Sequence, residues 1–216
     1  MERNETIKFL QAKFLEHRDQ LILMKANAQA WGGYADWPWN GLVLSAATRG
    51  GSARWDRNVK LRYDSELSWQ SLEGISDEER KKRFETVGRF WRRTANWLER
   101  VYQHILEQGG PASIRRTLDP MDATQIIAFW KQFPEIGDKY ARNIMMDIYD
   151  HRFRDGCFAI DSRIKKLLPL LGYQGTNHYE EQEVFLAILA AEITIEGWEI
   201  DRLLYRENKQ IAKALA

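Results

Sequence analysis

The sequence predicts an all-α protein. Three observations carry that reading. Apolar residues recur with a 3.6-residue period through most of the chain, helix starts and stops are marked by capping residues, glycines and prolines, and no segment alternates as a half-buried strand does. At 216 residues and 44% hydrophobic composition, the chain can bury a core without covalent staples, as one large domain or as two small lobes sharing a core.

The elements follow in order. A first helix is expected from Asn4 to about Gln29, carrying Ile7, Phe9, Leu10, Phe14, Leu21, Ile22 and Met24 near a helical period. The segment WGGYADWPWNG after it reads as a loop, broken by glycines and a proline but rich in tryptophan. Gly41–Thr48 (GLVLSAAT) fits a short helix or a strand, with a buried helix preferred, and TRGGS ends it. Residues 54–75 show no clear period. Ser76-Asp-Glu-Glu79 has capping-box spacing and opens one long helix, apolar at Phe84, Val87, Phe90, Trp91, Leu98, Val101 and Ile105 and closed by Gly109-Gly110-Pro111. Pro111 begins a short helix, and Asp122 caps another that runs through Phe133. PEIGD is a tight hairpin turn, and Asp138 to about Tyr149 is helical. A loop through Gly156 leads to Ala159-Ile160-Asp161, where Asp161 caps a helix ending near Gly172. Two last helices cover 178–194 and 197–207.

Composition excludes several classes. Cys157 is the lone cysteine, so an intramolecular disulfide and a four-cysteine zinc or iron–sulfur site are impossible. His17, His104, His151 and His178 show no close metal-ligand spacing. No stretch offers the ~18 apolar residues of a membrane span, and the opening MERNETIKFLQAKF lacks the apolar core of a signal peptide. A soluble, unanchored protein in a reducing compartment is expected. The net charge of +1 hides an uneven distribution. Residues 80–116 hold ten basic residues and three acids, 49–62 hold five and one, and 178–201 hold seven acids with no Lys or Arg. A basic face next to an acidic one can orient a polyanion; ordinary solvated helix faces would look the same.

The informative stretch is Phe129–Leu168, FWKQFPEIGDKYARNIMMDIYDHRFRDGCFAIDSRIKKLL. Two helices joined by a Pro-x-x-Gly turn leave amide donors at the start of the second helix, where the helix dipole is also positive. A phosphate is the natural ligand there, and Gly137 permits the turn and close approach of a backbone. Such a contact fixes register and reads no base. A purely structural helix-turn-helix corner is the alternative.

Phe133-Pro-Glu-Ile-Gly-Asp-Lys-Tyr-Ala141 resembles the helix-hairpin-helix of the endonuclease III and 8-oxoguanine glycosylase (HhH-GPD) superfamily. Ala159-Ile-Asp-Ser-Arg-Ile164 is similar to the family's aspartate-bearing segment. The likeness covers about residues 122–172. It extends to Leu44-Ser45-Ala46 upstream and to Trp198–Tyr205 downstream, which resembles the last helix of short archaeal-type 8-oxoguanine glycosylases without an iron–sulfur cluster. The resemblance implies a two-lobed helical glycosylase unit over 1–216 with its active site at the lobe junction. One lobe would span about 40–120, and the other 1–39 plus 121–216, with the hairpin at 122–151.

It further implies a bifunctional DNA glycosylase/AP lyase of base excision repair, acting as a monomer on double-stranded DNA with a damaged base or abasic site. 8-Oxoguanine is the expected lesion, through a lysine Schiff base and β-elimination. Lys139 and Asp161 are the implied catalytic residues. Pro134, Ile136, Gly137 and Tyr140 are the hairpin contacts. No cofactor is implied beyond a monovalent cation of the kind the family's hairpins often hold. The expected location is the cytoplasm, at the nucleoid if the source is prokaryotic. Arg49, Arg54, Arg142, Arg163 and Lys165 are candidate phosphate contacts, and Trp31, Tyr34, Trp37, Trp39 and Trp198 candidate base-stacking residues. Three departures stand out. Glu135 replaces a hairpin glycine, Asp138 adds a second acid, and Ala47 stands where relatives carry a gap-filling glutamine. These motivate a second reading, a catalytically silent helix-hairpin-helix module that only binds DNA. A glycosylase for an oxidised pyrimidine or a mismatched base, and a helical scaffold, complete the alternatives.

Overall fold

A computed structural model describes the backbone of residues 2–48 and 53–216, and the side chains of 2–47 and 57–216. The described residues are helical, with no strand among them. In chain order the helices are α1 (Arg3–Gly32), α2 (Trp39–Thr48), α3 (Ala53–Arg62), α4 (Trp69–Leu72), α5 (Asp77–Glu85), α6 (Trp91–Glu107) and α7 (Pro111–Leu118). α8 (Ala123–Trp130), α9 (Asp138–Met146), α10 (Ser162–Leu167), α11 (Tyr179–Ile193) and α12 (Gly197–Leu215) follow. None of the described helices is long and apolar enough to cross a membrane.

Local chemistry sets most boundaries as the sequence suggests. The Ser76 hydroxyl accepts from Glu79 N–H to start α5, Pro111 opens α7, and Asp122 and Gln125 close a full capping box on α8. The long helix expected from Ser76 to Gly109 is two helices. It breaks after Glu85, where Thr86 Oγ1 donates to Arg83 O at 2.6 Å. The break brings Gly88 against α2, so that a Cβ there would lie 3.2 Å from the Ala46 carbonyl oxygen. Residues 54–75 hold α3, a π-helical turn over Tyr63–Leu67 and α4, three short pieces that blur any single period. At the C-terminus, α12 kinks at Glu207 (φ −95°, ψ 15°), where the sequence ends the helix, and a further helical stretch continues to Leu215, with Ile211 and Leu215 buried.

The chain forms two compact units. One comprises Met1–Gln29 with Asp138–Ala216, the other Ala30–Gly137. The first has a core of Leu10 from α1, Phe158 and Ile160, Ile164 and Leu167 from α10, Leu186 and Leu189 from α11, and Ile200, Leu204 and Ile211 from α12. In the second, Trp39, Trp69, Phe84 and Tyr102 pack ring to ring, with Trp69 and Tyr102 stacked at 4.4 Å. Residues 30–39 and 121–137, grouped with the other lobe on sequence grounds, belong to this second unit. The reason is packing: the Trp39 indole donates to Leu67 O at 2.7 Å, the Trp97 indole donates to Pro134 O at 2.6 Å, and Phe133 meets His104 edge-on at 4.5 Å.

Candidate active site

Asp161 is delivered by a short extended segment whose backbone is satisfied by side chains. Phe158 N–H donates to Glu183 Oε1 at 2.8 Å, Ala159 N–H to Asp201 Oδ1 at 2.9 Å, and Ile160 N–H to the Tyr179 hydroxyl at 2.9 Å. The Tyr179 hydroxyl in turn donates to Phe158 O at 2.8 Å. A buried extended segment with no partner strand would otherwise leave three N–H groups unpaired, at a cost of about 1–3 kcal/mol each. α11 and α12 therefore hold the segment as a sheet neighbour would. Asp161 follows as the N-cap of α10, accepting from Arg163 N–H at 2.8 Å and Ile164 N–H at 3.0 Å. Its second oxygen accepts from Arg163 Nε at 2.8 Å, and the Arg163 guanidinium lies 3.9 Å above the Tyr205 ring. Both carboxylate oxygens are thus oriented by hydrogen bonds.

Lys139 and Asn143 on α9 and Asp147, the first residue after its end, recur every fourth position, and Asp147 N–H still donates to Asn143 O at 2.7 Å, so the three share one face. Arg202 of α12 reaches that face, donating to Asn143 Oδ1 at 3.3 Å and Asp147 Oδ1 at 3.0 Å. The Lys139 amine lies 4.3 Å from the Tyr140 ring centre and makes no ion pair among the described residues. Burial pushes the Lys139 ammonium below the ordinary lysine range. Asp147 opposes that shift, Arg202 adds to it, and Asp161 and Asp201 oppose it more weakly. The wholly buried Asp201 carboxyl is pushed up by burial, against the pull of Arg202, whose Nη1 stands 3.6 Å away. The unit therefore combines an amine biased toward its neutral, nucleophilic form with an oriented carboxylate whose charge it feels.

α12 is fixed at its start by close backbone packing. A Cβ at Gly197 would lie 2.6 Å from the Asp155 carbonyl oxygen, and the Trp198 indole donates to Met146 O at 2.7 Å. Gly197→Ala must push α12 or the 154–155 loop aside. The expected cost is about 1–3 kcal/mol. A thermal melt of the variant checks it, and an unchanged melting temperature would contradict the packing described.

The hairpin turn differs from expectation at its glycine. The residue in the left-handed region is Glu135, at φ 58°, and Gly137 is not among the positive-φ glycines. A Cβ at Gly137 would meet nothing within 4 Å, so the position is open to a close backbone approach. Ile136 is a core side chain and can offer only its backbone. Pro134 and Tyr140 are half-buried. Phe133 O accepts from Ile136 N–H at 3.2 Å and Pro134 O accepts from Trp97, so a cation at the turn would share carbonyls already engaged.

Several candidates take other roles. Arg142 is buried and gives both arms to Glu183, at 2.7 and 2.6 Å, so it is no phosphate contact. Arg163 is committed to Asp161 and Tyr205. Lys165 is exposed on α10. Arg49 lies outside the described residues, as does the side chain of Arg54. Trp37, Trp39 and Trp198 are core residues with little surface to stack on a base. Trp31 is half-buried and packs on the exposed Tyr34 at 4.6 Å. Ala47 is fully buried and cannot enter DNA. In the acidic 178–201 stretch, Glu183, Glu192 and Glu196 pair with Arg142, Arg3 and Lys25, while Glu180 and Glu181 stay exposed. Sequence reasoning missed Asp147, Tyr179, Glu183, Asp201 and Arg202. The fourfold spacing from Lys139 to Asp147 was the one signal available for any of them.

No family model matches the sequence, and no curated protein matches it. Among solved structures, the fold is similar to that of the 8-oxoguanine DNA glycosylase of Methanocaldococcus jannaschii, with a TM-score of 0.70 and 16% identity over 92% of this chain and 91% of that one. It is equally similar to the 8-oxoguanine DNA glycosylase of Thermotoga maritima, with a TM-score of 0.71 and 16% identity over 94% and 96%. The chain has the all-helical fold of these two enzymes.

Proposed function

We propose that the chain is a DNA glycosylase and AP lyase that removes 8-oxoguanine from double-stranded DNA, with Lys139 as nucleophile and Asp161 as electrostatic partner. The observation that carries the reading is the Lys139 amine, second residue of the hairpin's second helix, biased toward neutrality by burial and within the field of Asp161. The fold it shares with two 8-oxoguanine glycosylases supports the same reading.

The chemistry follows from those groups. Breaking the glycosidic bond builds positive charge on the sugar, and the Asp161 carboxylate stabilises it. The bond electrons leave with the base, which takes up a proton. The Lys139 lone pair forms a bond to C1′, the nitrogen gives up a proton, and the C1′–O4′ bond breaks as O4′ takes up a proton, which opens the ring to a Schiff base. Loss of a C2′ proton then expels the 3′ phosphate, and water releases the lysine. Both Asp161 oxygens accept hydrogen bonds from Arg163 and Ile164, which hold the carboxylate in place for its electrostatic role. The target nucleotide must first leave the duplex. The hairpin backbone around Gly137, with Pro134, Ile136 and Tyr140, would hold the phosphate backbone, and a shared monovalent cation there would reinforce that contact.

The test is borohydride trapping on a duplex carrying 8-oxoguanine. A covalent protein–DNA adduct is expected. An adduct on an abasic duplex alone would keep the lyase and move the lesion to an oxidised pyrimidine or a mismatched base. Absence of both, with DNA still bound, would leave the silent DNA-binding module. The trapping rate also has an expected pH dependence. The neutral amine fraction rises with pH through the Lys139 value, which lies below the ordinary lysine range. The rate should therefore level off at a pH below that range, and a rate still climbing through the ordinary lysine value would contradict the burial argument.

A further inference from the structure

We infer that the second unit carries a phosphodiester-binding recess on α6, adjoining the hairpin turn, and that Glu135 is its resident counter-anion. The inference rests on the DNA reading above. Arg93, Asn96 and Arg100 fall on one face of α6, and with Lys81 of α5, Glu99 and Glu135 they line a recess of about 750 Å³. Its charges are not fully balanced. Glu99 accepts from the buried guanidinium of Arg80 at 3.0 Å, and the exposed Asp77 shares that guanidinium at 2.7 Å. The cations Arg80, Lys81, Arg93 and Arg100 thus meet the acids Asp77, Glu99 and Glu135, an excess of one positive charge, with Glu135 the carboxylate that Arg93 and Arg100 share.

The geometry of that carboxylate is the second observation. One Glu135 oxygen pairs with Arg93 at 3.4 Å and the other with Arg100 at 2.5 Å. Two oxygens of one anion bridging two guanidiniums is also how a phosphodiester's non-bridging oxygens are held. The arginine side chains are 75% and 55% exposed, so a strand can reach them. Glu135 holds this place from a left-handed backbone position that disfavours residues bearing a Cβ. A glycine would take the turn more easily but would leave both arginines without this anion.

The neighbouring surface favours a nucleic-acid strand over an acidic protein. Phe90 and Trp91, just before and at the start of α6, are exposed, and Arg89 and Arg92 lie against their rings at 5.7 and 4.5 Å. Alternating cations and exposed aromatic faces match a sugar-phosphate chain and its bases.

The experiment is binding of an undamaged duplex by fluorescence anisotropy across a salt series, with wild type, Arg93→Ala/Arg100→Ala and Glu135→Gln. The double variant should bind about tenfold more weakly at low salt, and its log–log salt slope should shrink by about two. Glu135→Gln keeps the side-chain shape and frees the arginines, so it should bind several-fold more tightly with a steeper slope. Trapping at saturating protein should be unchanged in the double variant. If wild type binds and traps but the double variant keeps the wild-type slope, the recess is overturned while the glycosylase reading stands. If wild type shows no salt-dependent duplex affinity, both fail. If inorganic phosphate protects the protein against heat in an arginine-dependent way while duplex affinity is unaffected, the site takes an ion and the inference is wrong. A Glu135→Gln variant that only melts lower, with unchanged affinity, would make Glu135 a turn clamp and overturn its counter-anion role.

Discussion

Lys139→Gln is expected to abolish the borohydride-trapped adduct and strand cleavage, with a loss of at least about 1,000-fold, the scale on which removal of a nucleophile acts. Glutamine keeps much of the side chain's length and removes both the nucleophile and the charge. The same substitution should raise thermal stability near neutral pH. Burial lowers the folded-state pKa of Lys139 below its unfolded value, so at neutral pH the folded state carries a charge it disfavours. That cost falls as pH rises from the folded value toward the ordinary lysine range, because only the unfolded chain still binds the proton. The stability gap between variant and wild type should therefore close over that window. An active-site lysine maintained at the expense of stability produces this pairing of lost activity and raised melting temperature. Parallel trapping and melting curves at two pH values measure it. Retained adduct in the variant would remove Lys139 from the reaction, and a lower melting temperature would contradict the burial argument.

Glu183→Ala is expected to produce the largest loss of stability, about 3–5 kcal/mol. Arg142 is buried with Nε and Nη2 on the Glu183 carboxylate, so the substitution leaves the guanidinium away from water with only the longer Nη1 contacts to Asp138, at 3.2 and 3.5 Å. It also removes the acceptor of Phe158 N–H, loosening the segment that leads to Asp161. Replacing both partners by apolar residues should cost less, since no charge is then left unpaired, though the Phe158 amide would still lack a partner at about 1–3 kcal/mol. A double-mutant cycle read by denaturant unfolding checks the order. Additive losses would show that the two residues do not act as a pair. In the single variant, weaker trapping should accompany the lower stability, because Asp161 loses part of its support.

The helical class, most of the caps and the two residues at the centre of the proposal are legible in the amino-acid order alone. Those features are local. Ser76, Asp122 and Asp161 act on amides two or three residues away, and the periodicity of α1 or α6 is written within each helix. The hairpin was legible because a turn and the helix that follows it are neighbours in the chain. The tertiary structure decided what each polar side chain meets. Arg142 and Arg163 read as free cations, yet one is buried on Glu183, 41 positions away, and the other is held by Asp161 and Tyr205. Trp39 and Trp198 read as candidates for a base pocket, yet each spends its indole N–H on a distant carbonyl in a closed core. Asp201 looked like one more acid in a run, and only the packing of α12 places it on the Ala159 amide. Amphipathic periods and caps depend on spacing along the chain. Burial, ion pairing and a displaced lysine pKa depend on which segments close around a group, and no local pattern encodes that.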